Sequence, residues 1–106
     1  MREKNLVRQF RDFLIKHNPD IFYYKIPDTK GLGGMRPFDA IVIFLGKIYC
    51  LEFKVGNNKP TAFQKYSLQK ASQNGAVACV VNDKNWSLVA TWILNDEVPQ
   101  EVINGQ

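Results

Sequence analysis

Soft metal ligands are scarce in this chain, with one histidine and two cysteines among 106 residues. A zinc site built from imidazole and thiolate has too few ligands here. Cys50 and Cys79 each sit in an apolar run, so they read as small core residues, not as a disulfide or metal pair. His17 falls near the end of a helical pattern and reads as structural or solvated. Long apolar runs are missing too. None approaches the roughly 20 residues that a membrane helix needs. The opening MREKNLVRQFRDFL is charged and amphipathic and lacks the apolar core of a signal peptide. Together these features predict an intracellular, cytoplasmic protein. Repeats, low-complexity tracts and linkers are absent, and the length suits one domain over 1–106. Acidic residues number ten against fourteen basic ones, leaving a net charge of +4. That is a mild tilt toward polyanionic partners and no proof of one.

Hydrophobic periodicity divides the chain. Leu6, Val7, Phe10, Phe13 and Leu14 recur at helical spacing, predicting a helix over 3–17 with Glu3 inside the apolar stripe. NPD at 18–20 ends it. IFYYKI at 21–26 reads as a strand, and PDTKGLGGMR at 27–36 as a loop with three glycines. RPFDAIVIFLGKIYCLEFK at 36–54 reads as a hairpin turning near Gly46. Thr61 as N-cap with Gln64 three residues later is a capping-box pattern, and Asn74-Gly75 is a stop signal. AVACVV at 76–81 reads as a buried strand. NWSLVATWIL can be read with period two or period 3.6, and the reading leans to a short helix. The predicted fold class is α/β, a mixed sheet flanked by helices in the order α-β-β-β-α-β, with a core of about 3–82 and an extension from 83 to 106. Alternation puts Phe38, Ala40, Val42 and Phe44 on one hairpin face and Ile41, Ile43 and Leu45 on the other. Both faces are apolar, so both should be covered.

Three charged residues interrupt this hairpin: Asp39, Glu52 and Lys54. A two-residue turn at Gly46-Lys47 would set Ile41 opposite Glu52 and Asp39 opposite Lys54. Any even loop keeps the three on one face, whereas an odd loop or a bulge would break that parity. A buried unpaired carboxylate costs several kcal/mol. Two close carboxylates also repel, which raises their affinity for a proton or a cation. A hard divalent ion relieves both problems, and magnesium suits one or two carboxylates with waters and phosphate oxygens. Phosphodiester hydrolysis uses such an arrangement, with a lysine to orient or activate the nucleophile.

Pro37-Phe38-Asp39, then twelve residues, then Glu52-Phe53-Lys54 resembles the core of the PD-(D/E)XK nuclease superfamily. Here Phe38 stands inserted between the proline and the acid. TAFQKYSLQKASQNGAVACVV resembles the helix and strand that follow this motif in virus-type replication-repair (VRR-NUC) nucleases and Holliday-junction resolvases. The resemblance covers roughly residues 3–82 and implies a restriction-endonuclease-like core. It implies that Asp39, Glu52 and the Phe53 backbone carbonyl hold Mg2+, with Mn2+ able to substitute. It implies that Lys54 positions the attacking water, that Glu3 meets a metal-bound water or second ion, and that Gln64 orients Lys54 or the phosphate.

The glycine-rich GLGG at 31–34 lacks the Gly-Lys-Ser/Thr ending of a P-loop and reads as a mobile loop or plain surface. Lys30 and Arg36 flank it as candidate nucleic-acid contacts. Trp86 and Trp92 read as core or interface. The expected activity is a magnesium-dependent endonuclease on DNA in preference to RNA, structure-selective or partner-directed, and a homodimer would suit two-strand cleavage. Two alternatives stay open: a non-catalytic nucleic-acid-binding module that keeps the nuclease fold, and an interaction domain whose acids form an internal salt bridge with Lys54.

Overall fold

The computed structural model describes residues 1–27 and 36–97. Lys30 and the glycine-rich stretch at 31–34 fall outside the described residues. Seven elements follow one another: α1 (Glu3–His17), β1 (Phe22–Lys25), β2 (Ala40–Phe44), β3 (Lys47–Phe53), α2 (Ala62–Gln73), β4 (Val77–Val81) and α3 (Trp86–Leu94). The four strands form one mixed sheet in the order β1-β2-β3-β4. β1, β2 and β3 run as an antiparallel meander, and β4 joins β3 in parallel. The crossover between β3 and β4 is α2, the connection that a parallel pair requires.

Two hydrophobic clusters lie against opposite faces of the sheet. On one face Leu6, Phe10 and Leu14 of α1 and Val89, Ala90 and Ile93 of α3 pack on Val42, Tyr49, Leu51, Phe53, Cys79 and Val81. The ambiguous NWSLVATWIL segment is therefore helical, because its buried residues recur at helical spacing once α1 stands beside it. Trp86 and Trp92 pack against this core, and Phe13 meets Trp86 edge-on at 5.8 Å between ring centres. On the other face Leu68 of α2 packs with Cys50 and Ala78. Cys50 and Cys79 are both buried and free, and they belong to these different clusters.

Local signals act as their chemistry dictates. Thr61 Oγ1 accepts from the Gln64 N–H at 3.2 Å, and Gln64 Oε1 accepts from the Thr61 N–H at 2.9 Å, closing the capping box. At the other end of α2, Gly75 takes φ +101°. Its N–H donates to the Ser72 carbonyl and the Ala76 N–H to that of Ala71, a Schellman stop. Asn82 and Asn85 exchange side-chain acceptors and backbone donors at 2.7 and 2.8 Å and lock the corner from β4 into α3.

Two hairpin expectations need correction. The turn is Leu45-Gly46, not Gly46-Lys47: Phe44 pairs with Lys47 and Ile41 with Cys50. Both turn residues have positive φ, 51° and 79°, which is the backbone a two-residue turn needs to match the strand twist. Alternation also fails at the start of β2. Ala40 is the strand partner of Leu51, yet the Asp39 N–H also donates to the Leu51 carbonyl at 2.8 Å. Two residues thus face one, as in a bulge, and Phe38 packs with the α2-side cluster instead of on the face of Ala40. The expectation that both faces are covered holds only in part. α2 covers β3 and β4, whereas Phe22, Tyr24, Ile43 and Ile48 stay between 40% and 52% exposed.

Candidate active site

The bulge at Asp39 governs the site. Asp39 does not stand opposite Lys54, nor Glu52 opposite Ile41. Instead the Asp39 carboxylate turns onto the end of β3, where its Oδ2 accepts from the Phe53 N–H at 2.8 Å. That amide lies between the two other charged residues of the motif. Lys54 follows directly, its own N–H donating to the Val81 carbonyl at 2.9 Å, so β4 fixes the end of β3. The three residues do gather, although through a backbone bond and not through cross-strand pairing.

Glu52 is the most enclosed of them, 1% exposed against 7% for Asp39. Its Oε2 pairs with Lys54 Nζ at 3.2 Å, while its Oε1 is buried with no hydrogen-bond partner among the described residues. Burial and then the nearby Asp39 charge push the Glu52 carboxyl up to about 7, against the pull of Lys54. A buried acceptor of this kind normally finds a partner, and one left over marks strain or a missing ligand. Asp39 Oδ1 pairs with the Arg36 guanidinium at 3.2 Å, and Arg36 also donates to the Ile26 carbonyl at 3.2 Å.

Glu3 opens α1 on the same side. Burial and the Asp39 charge raise its carboxyl above the ordinary range, with Lys54 and Arg36 opposing. Glu3 is therefore electrostatically part of the cluster. Three carboxyl groups and two cations among the described residues make up this cluster. Among the described residues, however, no three His, Cys, Asp or Glu side chains are arranged as a ready metal-holding group. Gln64 is placed in the cap of α2, where its carbonyl oxygen is bound to the Thr61 N–H.

The donors present fit a magnesium ion that keeps several waters. Two hard carboxyl groups lie close enough to perturb one another, and one oxygen is orphaned among the described residues. Asp39 and Glu52 are the residues that would hold it, and Arg36 would have to release Asp39 Oδ1.

Sequence reasoning missed the approach to this site. Glu3, Arg36 and Asp39 share a cavity of about 810 Å3 with Lys4, Arg8 and Arg11 of α1 and with Tyr23 and Lys25 of β1. The signal was present, since Lys4, Arg8 and Arg11 stand at helical spacing, but only the packing of α1 beside β1 makes them one wall. No protein-family model matches this chain, and no curated protein is detectably similar to it.

Proposed function

We propose that this chain is a divalent-metal-dependent nuclease that hydrolyses phosphodiester bonds in DNA. The observation that carries the reading is the buried Glu52 carboxylate, with one oxygen on Lys54 and the other unpartnered, beside Asp39. Asp39 and Glu52 would hold magnesium, which would supply positive charge against the phosphate oxygens and acidify a water. Asp39 Oδ2 is held by the Phe53 N–H, which fixes the carboxylate orientation once Arg36 releases Oδ1. Lys54 pairs with Glu52, and in this reading its ammonium holds the attacking water and opposes charge gathering on the phosphate. Water attacks phosphorus, the P–O bond to the leaving strand breaks, and that oxygen takes a proton. Cutting both strands of a duplex or a junction calls for two copies, so a two-fold dimer belongs to this reading.

A second reading has its own support, because both motif acids already have a cationic partner, Arg36 for Asp39 and Lys54 for Glu52. In that reading the cluster is an internal ion-pair network of an interaction domain. One experiment separates the two. Purified protein is incubated with branched, flapped, single-stranded and linear duplex DNA in magnesium, manganese or EDTA, beside Asp39→Ala. Cleavage that needs the metal and Asp39 supports the nuclease. Cleavage that persists in EDTA or in Asp39→Ala refutes it, as does a clean absence of turnover with no divalent binding by calorimetry.

A further inference from the structure

The cavity in front of Asp39 is lined mainly by basic side chains. One wall is α1, where Lys4, Arg8 and Arg11 occupy positions i, i+4 and i+7 and so form one stripe. At 1.5 Å per residue the stripe runs about 10 Å along the helix. The facing wall is β1, with Lys25 and Tyr23, and Arg36 stands with Asp39 at the inner end. Among the described residues, five cations line this space against three carboxylates, Glu3, Asp12 and Asp39, two of which belong to the acid cluster itself. The partners that the outer cations do have are weak. Among the described residues Arg11 pairs with its neighbour Asp12, both about half exposed, and Arg8 bonds Asn5 at 3.2 Å. Exposed pairs of this kind exchange readily for a phosphate. Tyr23 adds an independent sign of a ligand. Its hydroxyl is buried without a hydrogen-bond partner, and burial raises it far above its ordinary range, so it remains a donor.

The depth of the site limits what can enter. Asp39 is 7% exposed and lines this cavity, whereas Glu52, 1% exposed, lies behind it, so a phosphate that meets Asp39 has to come into the cavity. A space of about 810 Å3 lies in the range of pockets that take small ligands. A space of that size suits a nucleotide or two of one strand.

We propose that the groove between α1 and β1 binds a single DNA strand, with Lys4, Arg8, Arg11 and Lys25 tracking its phosphates toward Asp39 and Tyr23 donating to the strand. This rests on the nuclease reading only for the fate of the strand, not for its binding. The substrate class that follows is an unpaired segment, such as a flap or a frayed end. A charged groove with an aromatic wall is the general form of single-strand sites.

The test is fluorescence anisotropy of a labelled oligo-dT and of a blunt duplex in EDTA, titrated with salt, for the natural protein, for R8A/R11A and for K65A/K70A on α2. All three should show the same circular dichroism. The expected result is that the single strand binds more tightly than the duplex. R8A/R11A should weaken single-strand binding about tenfold and flatten the log-affinity against log-salt slope by about 1.4, near 0.7 per lost phosphate contact. K65A/K70A should leave both unchanged. Single-strand binding indifferent to R8A/R11A, or duplex bound more tightly than the single strand, overturns the proposal. Binding that follows the groove without any cleavage in magnesium would overturn the nuclease reading alone. Magnesium-dependent cleavage with groove variants of natural affinity would overturn the groove alone.

Discussion

Replacing Glu52 with glutamine removes the most enclosed carboxyl group among the described residues, and the consequence can be worked out. In the fold the Glu52 carboxyl ionises near 7 instead of its ordinary 4.5, because burial and Asp39 disfavour its charged form. The folded state therefore holds this proton more tightly than the unfolded chain does. Its stabilising effect is complete below about 4.5 and is lost as pH rises from there through about 7. At 1.36 kcal/mol for each tenfold change in proton affinity, the full swing is about 3 kcal/mol. In a domain of this size that is a fall in Tm on the order of 10 °C or more. Glu52→Gln keeps the shape and an acceptor for Lys54 but has no proton to lose. Thermal melts of the metal-free protein between pH 4.5 and 8 should show the natural protein losing stability relative to Glu52→Gln as pH rises. The variant should be the more stable at pH 8. Magnesium at pH 7.5 should raise Tm for the natural protein only, by mass action on the folded state. Parallel melting profiles across that range would refute the reasoning. A variant less stable at every pH would instead favour the ion-pair network, since breaking a buried pair costs roughly 3–5 kcal/mol.

Further outcomes are expected elsewhere. Arg36→Ala frees Asp39 Oδ1 from a competing cation, so calorimetry should find divalent binding about tenfold tighter, whereas weaker binding would mean that Arg36 organises the site. Gln64→Ala opens the capping box and should cost about 1 kcal/mol in urea unfolding, with cleavage rates within a few-fold of natural; a loss of a hundredfold in rate would return Gln64 to the chemistry. Gly75→Ala meets no neighbouring atom but must hold φ +101°, so a loss of about 1–2 kcal/mol should come from backbone strain alone. Leu14→Ala, at a fully buried position between α1 and the sheet, should cost about 3–5 kcal/mol in the same assay.

Much of the fold is legible locally. The apolar stripe of α1, the capping box at Thr61 and the stop at Gly75 each depend on residues within a turn or two of one another. Periodicity and cap chemistry therefore read them directly. The gathering of Asp39, Glu52 and Lys54 was expected from strand parity, and they do gather, yet the predicted mechanism was wrong. Parity cannot anticipate a bulge. The turn moved to Leu45-Gly46 because its backbone suits the strand twist, and Asp39 then reached the Phe53 amide instead of a cross-strand partner.

What the sequence by itself determined is the set of elements, their order and the presence of acids at the end of a buried hairpin, because hydrogen bonding within a turn and burial of one face are local requirements. Only the tertiary structure decided how those acids are paired, that one Glu52 oxygen is left over, that α2 covers half of its face, and that α1 and β1 enclose a basic groove. These last features join residues far apart in the chain, where direction and distance come from packing and no spacing in the sequence records them.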